Sequence, residues 1–363
     1  MTVPAEPIFF EPVYKETLWG GTALSSRFGR RLPAGRFFGE SWDLVSLGAD
    51  QSTVPAGALA GKTLGQLTSA APLQLLGAIE TFGKFPLLYK FIDARDRLSV
   101  QVHPDDRQAR ANGWGEFGKT ESWYIIDAPE NARVIVGFKN DVTREAVISA
   151  IEKASLHELL NFIPVKAGDQ LFIPAGTVHA IMEGILLYEI QESADTTLRL
   201  YDWGRVDSAG KPRRLHVHDA LNLVDTHARG DYRIRPVVLE EKRCARSFRA
   251  ACRYFALEQY SFALDEQIIL PAKISFRVLT LLSGGLRLKY PSGSAELRPG
   301  VTALLPAALR DVRAAGSAGT ELLLSSVPDL RGEVIVPLRE RGIHDAAIAQ
   351  LGGPTGNDLL ALL

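Results

Sequence analysis

Two distant segments of this chain share a pattern that restricts the fold more than any other feature of the sequence. Residues 165–175 (VKAGDQLFIPA) and residues 296–307 (ELRPGVTALLPA) both lead from a Gly-containing turn into a short apolar run that ends on Pro-Ala. Similar short runs, separated by Gly and Pro, recur along most of the chain, and closely spaced short strands are typical of a jelly-roll barrel. The sequence therefore predicts a mainly β chain with two related jelly-roll β-barrels.

Helical patterns are confined to short insertions between the predicted strands. We expect two short helices within residues 57–80, a polar helix over 105–112, and a longer helix over 141–160. Apolar residues at helical spacing support the longest of these, and Asp141 or Thr143 is its expected cap.

The two barrels are not equally equipped for chemistry. The second pattern segment has no histidine where the first is followed by His179. We therefore predict a catalytic barrel over residues 1–240, which carries the helical insertions, and a second, metal-free barrel over residues 241–329. Residues 330–363 form a C-terminal tail, either mobile or packed, with weak helical character.

Composition excludes several classes of protein. The 363 residues are 46% hydrophobic and 23% charged, as in ordinary globular proteins, and the net charge of −1 argues against nucleic acid or an acidic membrane as a partner. Two cysteines, Cys244 and Cys252, are too few for a disulfide framework. The sequence shows neither a signal peptide nor an apolar run of about 18 residues, so a cytoplasmic location is predicted. The sequence does not decide whether the protein is a monomer or a homodimer.

One predicted strand, within residues 98–106 (LSVQVHPDD), has an unusual polar face. Ser99, Gln101 and His103 alternate with apolar residues, so the three polar side chains point the same way. Gln101 and His103 are therefore spaced to grip one metal ion from the same side of a strand.

Four residues of the first barrel form a candidate metal site: Gln101, His103, Glu121 and His179. Side chains that point into a small barrel from different strands converge on its axis. Two imidazoles, a carboxylate and an amide oxygen suit Zn²⁺, with manganese, iron or cobalt as substitutes, and a site without thiolates is typical of catalysis. We predict one Zn²⁺ per subunit. For His179 alone the alternative is a core histidine bonded to the backbone, and for the polar face of residues 99–103 it is a surface exposed to water.

Charged residues near these strands are candidates for substrate binding. Lys119 lies two residues before Glu121 and faces the same side of an extended chain, where it could hold a substrate oxygen or a phosphate. Lys90 and Arg199 each lie within an apolar strand, and a buried charge needs a partner. Asp195 lies four residues before Arg199. A structural ion pair is the alternative for Lys90 and Arg199, and a solvated lysine at the end of a strand is the alternative for Lys119.

Motifs for several other chemistries are missing from the sequence. It contains no G-x-S-x-G, no G-x-x-x-x-G-K-[ST] and no G-x-G-x-x-G. Acyl transfer, P-loop phosphoryl transfer and nicotinamide binding therefore lack support.

The motifs of the chain resemble those of type I mannose-6-phosphate isomerases in their short bacterial form. The resemblance runs in order over roughly residues 8–325. Its motifs are WGG at 19–21, GESW at 39–42, KFIDA at 90–94, LSVQVHPDD at 98–106, GKTE at 118–121, IPAGTVHA at 173–180 and LRLYDWG at 198–204.

This resemblance implies a pair of cupin-type barrels with a small helical segment, and a zinc-dependent aldose–ketose isomerase. The family's zinc ligands fall on the same four residues proposed above. Its active-site arginine falls on Arg199, and its phosphate-handling residues include Ser99, Lys90 and Lys119. The chain lacks the long helical insertion of larger isomerases and a nucleotidyltransferase half, and the tail beyond about residue 330 has no counterpart.

The expected reaction interconverts mannose 6-phosphate and fructose 6-phosphate through a cis-enediol. The metal would stabilise the developing negative charge, and Arg199 would stabilise the charged oxygen or the phosphate. Lys90, Ser99 and Lys119 would anchor the phosphate. Metal-bound water, Asp195 or another carboxylate could carry the proton. Two alternatives are a metal cupin that acts on a different phosphosugar and a non-catalytic sugar-phosphate sensor.

Overall fold

The computed structural model describes residues 3–206, 210–354 and 357–363. Strands predominate in these residues and pair mainly antiparallel, which confirms the prediction of a mainly β chain. The strands are β1 (Ile8–Phe9), β2 (Val13–Gly21), β3 (Phe38–Leu44), β4 (Ser46–Leu47), β5 (Asp50–Gln51), β6 (Leu87–Ala94), β7 (Val100–Val102), β8 (Glu121–Asp127), β9 (Arg133–Phe138), β10 (Leu160–Pro164), β11 (Gln170–Ile173), β12 (His179–Ile181), β13 (Ile185–Glu192), β14 (Leu198–Tyr201), β15 (Arg233–Ile234), β16 (Val237–Glu241), β17 (Cys244–Ala251), β18 (Ala256–Phe262), β19 (Glu266–Leu270), β20 (Arg277–Ser283), β21 (Leu286–Tyr290), β22 (Gly293–Leu297), β23 (Thr302–Leu305), β24 (Val312–Gly316) and β25 (Glu321–Ser326).

The helices are short and lie between the strands or after them. They are α1 (Ala23–Phe28), α2 (Leu64–Ala70), α3 (Pro72–Leu76), α4 (Asp106–Ala111), α5 (Arg144–Glu152), α6 (Val217–Leu221), α7 (Val336–Glu340) and α8 (Asp345–Ala349), with 3-10 turns at Leu156–Glu158 and Gln350–Gly352 and a π-helical turn at Leu330–Ile335. The two helices predicted within residues 57–80 and the polar helix over 105–112 are confirmed. Within the part of the chain that the structure describes, no helix combines the length and apolarity needed to cross a membrane.

The chain forms two compact units. Unit 1 comprises Met1–Val13, Asp43–Leu87 and Ile234–Leu363, and unit 2 comprises Tyr14–Trp42 and Leu88–Arg233. The division of the chain at residues 240 and 329 stays a prediction.

Unit 1 is built on two antiparallel sheets. One has the order β1-β23-β20-β25-β18-β17-β16 and the other β19-β24-β21-β22. Side chains of both sheets, such as Leu279 and Leu324 on one and Leu288 and Val312 on the other, share a single buried cluster. The C-terminal segment belongs to this unit, where Gln350 accepts a hydrogen bond from the backbone N–H of Arg235.

Unit 2 has the same kind of core between two sheets. Their orders are β15-β11-β8-β13-β6-β2-β3 and β10-β9-β12-β7-β14. Trp123 and Leu187 of the first sheet pack with Val134, Val136 and Ile181 of the second. Two sheets with a shared core are expected of a jelly roll, while their closure into barrels stays a prediction.

The two similar sequence segments occupy corresponding places in the two units. β11 follows Gly168 and β23 follows Gly300, and both glycines adopt the left-handed conformation, with φ of 88° and 81°. The Gly168 N–H donates to the Ile125 carbonyl in β8, and the Gly300 N–H donates to the Leu281 carbonyl in β20. A turn that only glycine adopts easily therefore begins the equivalent strand in each unit.

The helix predicted over residues 141–160 is shorter than expected. Thr143 caps α5 by accepting the Ala146 N–H at 3.1 Å, but the helix ends at Glu152. Ala154 has a positive φ of 54°, which breaks the helical ladder, and Leu160 begins β10 instead. The apolar spacing beyond residue 152 reflects burial in a 3-10 turn and a strand.

The outer face of the five-stranded sheet in unit 2 is covered by helices. Val100 and Val102 of β7 pack with Val147 of α5 and Ala220 of α6. The side chains that alternate with these two valines therefore point to the opposite face of the sheet. They face the interior between the two sheets, where the candidate site lies.

Candidate metal centre and active-site cavity

Three predicted ligands meet inside unit 2. His103, Glu121 and His179 are buried, and their ligand atoms all lie within 4.8 Å of one another. Nε2 of His179 lies 3.3 Å from Oε1 of Glu121, and Nε2 of His103 lies 3.6 Å from Oε2 of the same carboxylate. The glutamate therefore faces both imidazoles at once.

The sheet arrangement explains this convergence. His103 directly follows β7, and His179 begins β12, the neighbouring strand, where it lies opposite Gln101. Glu121 begins β8 in the other sheet of the unit. Inward-facing residues on two sheets that share a core approach one another, although they are far apart in sequence.

Backbone carbonyls orient both imidazole rings. Nδ1 of His103 lies 2.9 Å from the Thr196 carbonyl oxygen, and Nδ1 of His179 lies 2.9 Å from that of Thr177. A proton on each Nδ1 satisfies these contacts and leaves Nε2 as an acceptor toward the cluster. Burial lowers the pKa of His179 to about 4 and that of His103 well below its ordinary value, so both rings are neutral near pH 7.

The donor set fits a divalent metal ion. Nε2 of His179 is a buried atom that lacks a hydrogen-bond partner among the described residues, and Oε2 of Glu121 makes no hydrogen bond although Nζ of Lys119 lies 3.2 Å away. Buried acceptors without donors are costly, and a shared cation removes that cost. Gln101, the fourth predicted ligand, lines the adjoining cavity.

Lys119 supplies a positive charge beside the cluster. Its Nζ lies 3.0 Å from Nε2 of His103 and 3.2 Å from Oε2 of Glu121, and the side chain is buried. The prediction that this lysine shares a side with Glu121 is therefore consistent with the observed contact.

Lys90 is held between two carboxylates. Its Nζ lies 3.2 Å from Oε2 of Glu40 and 3.4 Å from Oε1 of Glu189. Trp42 donates its indole N–H to Glu40 at 2.7 Å, and Trp123 donates to Glu189 at 3.0 Å. Burial opposes the charged form of the lysine, but the two carboxylates outweigh it and raise the pKa of Lys90 above its usual value.

Glu189 is a site residue that the sequence analysis missed. It lies within the apolar strand β13, which is buried throughout. A charged residue in an apolar strand was the signal that identified Lys90, and the same argument applies to Glu189. Glu40 appeared only as part of a motif, without a role.

A cavity of about 250 Å³ adjoins the cluster in unit 2. The other six predicted site residues line this cavity: Lys90, Ser99, Gln101, Lys119, Asp195 and Arg199. The structure therefore brings all nine predicted residues to one place, while their individual roles stay predictions. Arg199 is further anchored by its backbone N–H, which lies 3.2 Å from Nδ1 of His216.

Comparisons with known proteins point to one family. The family model described as "Phosphomannose isomerase type I, catalytic domain" matches residues 8–139. Mannose-6-phosphate isomerase ManA of Bacillus subtilis is 46% identical over 220 residues, which cover 61% of this chain and 68% of the relative. Mannose-6-phosphate isomerase of Streptococcus mutans is 33% identical over 302 residues, covering 83% of this chain and 93% of the relative.

The structural comparison covers more of the chain. The crystal structure of mannose 6-phosphate isomerase from Bacillus subtilis matches with a TM-score of 0.80 and 35% identity, covering 88% of this chain and 99% of that chain. Together with the sequence relatives, this match shows that the chain belongs to the type I phosphomannose isomerase family.

Proposed function

We propose that the protein interconverts mannose 6-phosphate and fructose 6-phosphate. The observation that carries this proposal is the buried cluster of His103, Glu121 and His179 beside a cavity lined with cationic side chains. The relatives are named mannose-6-phosphate isomerases, which supports mannose 6-phosphate as the substrate.

We propose Zn²⁺ as the cofactor, held by Gln101, His103, Glu121 and His179. Two neutral imidazole nitrogens, a carboxylate and an amide oxygen suit this ion, and the absence of thiolates from the proposed ligand set is typical of a catalytic site. When bound, the ion would act as a Lewis acid for the negative charge that develops on the sugar oxygens.

The reaction needs a group that moves a proton between C1 and C2 of the open-chain sugar through a cis-enediol. Asp195 lines the cavity and is exposed, so a substrate can reach its carboxylate. Lys119 adds a positive charge next to Glu121. We therefore propose Asp195 as the proton carrier and Lys119 as the cation that stabilises the enediolate.

Arg199 is proposed to stabilise the charge near the reacting carbons. It pairs in register with Gln101, the proposed metal ligand, and its Nε is a buried donor without a hydrogen-bond partner among the described residues. A planar guanidinium suits an oxyanion at this place.

Ser99 and Lys90 are proposed to handle the phosphate. Both residues line the cavity. Because Glu40 and Glu189 already balance the charge of Lys90, this lysine alone is a weak attraction for a dianion. Further positive charge is needed elsewhere in the cavity.

The test is a coupled assay of fructose 6-phosphate formed from mannose 6-phosphate. Activity should disappear on treatment with a chelator and return with added Zn²⁺. His103→Ala should abolish zinc binding and turnover together, whereas His218→Ala, at an exposed histidine, should change neither. A folded, fully metallated protein without turnover would contradict the proposal and favour a non-catalytic sugar-phosphate sensor.

A further inference from the structure

The cations that line the cavity differ in how well their charges are already balanced. Lys90 faces two carboxylates, and Lys119 faces Glu121. A further cation, Arg213, also lines the cavity. The sequence analysis assigned no role to Arg213.

Arg213 is fixed in place by a two-point contact with Asp202. Its Nε lies 2.7 Å from Oδ2 and its Nη2 lies 2.8 Å from Oδ1 of that carboxylate. These bonds use two of the five N–H donors that a guanidinium carries. The side chain is therefore oriented in advance and keeps donors for a ligand.

Asp202 is shared between two guanidinium groups. Arg205 donates to the same carboxylate and to the Arg97 carbonyl. A second carboxylate, that of Asp96, lies farther from Arg205, with 3.8 Å between its Oδ2 and Nη1 of Arg205, so the charge of Arg213 is only partly balanced. An anionic ligand would balance that charge.

Strand register places this charge at the end of β7 away from the metal cluster. Trp203 donates its indole N–H to the Leu98 carbonyl at 2.7 Å, so the segment around Asp202 borders the start of β7, next to Ser99. Arg199 lies one step farther along, opposite Gln101, and His103 lies at the other end. Each step of two residues along a strand is about 7 Å.

We propose that Arg213, held by Asp202, binds the phosphate group of the substrate beside Ser99. This arrangement separates the two ends of the sugar, with the phosphate at Arg213 and the reacting carbons near Gln101 and Arg199. The inference rests on the proposed function for the identity of the ligand as a phosphosugar. A phosphomonoester dianion is the ligand class that matches a pre-oriented guanidinium.

The test is calorimetric binding of sorbitol 6-phosphate, a phosphate that has no carbonyl to isomerise, to the zinc-loaded protein. Sorbitol and inorganic phosphate are the comparison ligands. Arg213→Gln should weaken sorbitol 6-phosphate binding by about 10- to 100-fold, as expected for a lost charged hydrogen bond. Arg214→Gln, at the exposed neighbouring arginine, should leave binding unchanged.

Two further variants separate phosphate binding from a structural role. Arg213→Lys keeps the positive charge but loses the planar guanidinium, which can donate to two oxygens at once. The affinity of this variant for sorbitol 6-phosphate should lie between those of the wild type and Arg213→Gln. Asp202→Asn should weaken binding of sorbitol 6-phosphate several-fold because it loosens the guanidinium. In turnover, Arg213→Gln should raise KM for mannose 6-phosphate while kcat stays within about twofold.

The outcomes distinguish this inference from the proposed function. Wild-type binding that depends on Arg213, with no isomerisation, would retain the phosphate site and reject the isomerase. Unchanged affinity in a folded Arg213→Gln variant would overturn the inference, as would a wild-type protein that binds neither sorbitol 6-phosphate nor inorganic phosphate. If Arg213→Gln does not fold, unchanged affinity in both Arg213→Lys and Asp202→Asn would overturn it equally.

Discussion

Oε1 of Glu121 lies 3.3 Å from Nε2 of His179, and both side chains are almost completely buried. With the Nδ1 proton of His179 donated to the Thr177 carbonyl, two acceptors face each other at this contact. Such a contact is unfavourable unless a cation lies between the two atoms. This pair is the strongest structural support for the proposed metal site.

Acid should destabilise the metal-free protein through its buried imidazoles. Burial lowers the pKa of His179 from 6.5 to about 4. Between these two pH values, His179 is therefore protonated in the unfolded chain but neutral in the folded chain. The contribution of neutral His179 to the free energy of unfolding should therefore be complete above pH 6.5. It should fall by about 3 kcal/mol as the pH approaches 4. Urea unfolding of chelator-treated protein at several pH values measures this loss.

A matched pair of variants checks the source of that pH dependence. His179→Gln should flatten the stability profile between pH 6.5 and 4, whereas His218→Gln, at an exposed histidine, should leave it as in the wild type. An unchanged slope in His179→Gln would contradict the assignment.

Removing the charge of Lys90 should be costly for folding. Lys90→Met leaves Glu40 and Glu189 facing each other without their shared cation, and loss of one partner from a buried ion pair typically costs about 3–5 kcal/mol. Lys90→Met combined with Glu189→Gln should recover part of this loss because one uncompensated carboxylate is removed. The free energies of unfolding of the single and double variants measure the coupling. Strictly additive losses would contradict a direct interaction between Lys90 and Glu189.

Arg199→Ala should lower kcat more than it raises KM for mannose 6-phosphate. Its register partner is Gln101, at the metal end of the cavity, so its charge should act on the enediolate rather than on the bound phosphate. A loss in kcat on the order of 100-fold corresponds to one stabilising donor in the transition state. Steady-state kinetics of both variants measure the difference, because Arg213→Gln should change mainly KM. A rise in KM alone would assign Arg199 to ground-state binding.

A buried carboxyl behind the GKTE segment should make the protein less stable at alkaline pH. Burial raises the pKa of Glu192 well above its ordinary value, and the carboxylate of Asp106 adds to the shift. A carboxyl whose pKa is raised by folding contributes stability that is present below the unfolded pKa and is lost as the pH rises toward the folded pKa.

Glu192→Gln should therefore stabilise the protein at pH 8 and flatten the loss of stability above pH 4.5. The backbone N–H of Thr120 donates to this carboxyl at 2.8 Å, and a glutamine oxygen can accept the same bond. Thermal unfolding from pH 5 to pH 8 measures the effect, with Glu130→Gln at an exposed position as control. If both variants showed the same dependence of stability on pH, Glu192 would not be the source of the loss at alkaline pH.

Much of the site could be predicted from sequence because its strongest signals are local. The alternation of polar and apolar residues from Leu98 to His103 determined that one face of β7 would be polar, and the structure has Val100 and Val102 in the core on the other face. Turn glycines such as Gly168 and Gly300 likewise indicated where strands begin. These signals depend only on neighbouring residues and on backbone sterics.

What the tertiary structure alone decided is which distant side chains meet. Glu40, Glu189 and Arg213 reach the cavity from β3, from β13 and from the segment after β14, and no local pattern states their distances to Lys90 or Asp202. The apolar residues beyond Glu152 continue the helical spacing, but a turn and a strand bury them, so their spacing did not indicate where α5 ends. Periodicity reports which side of an element is buried, whereas charge pairing across sheets depends on how the whole chain packs.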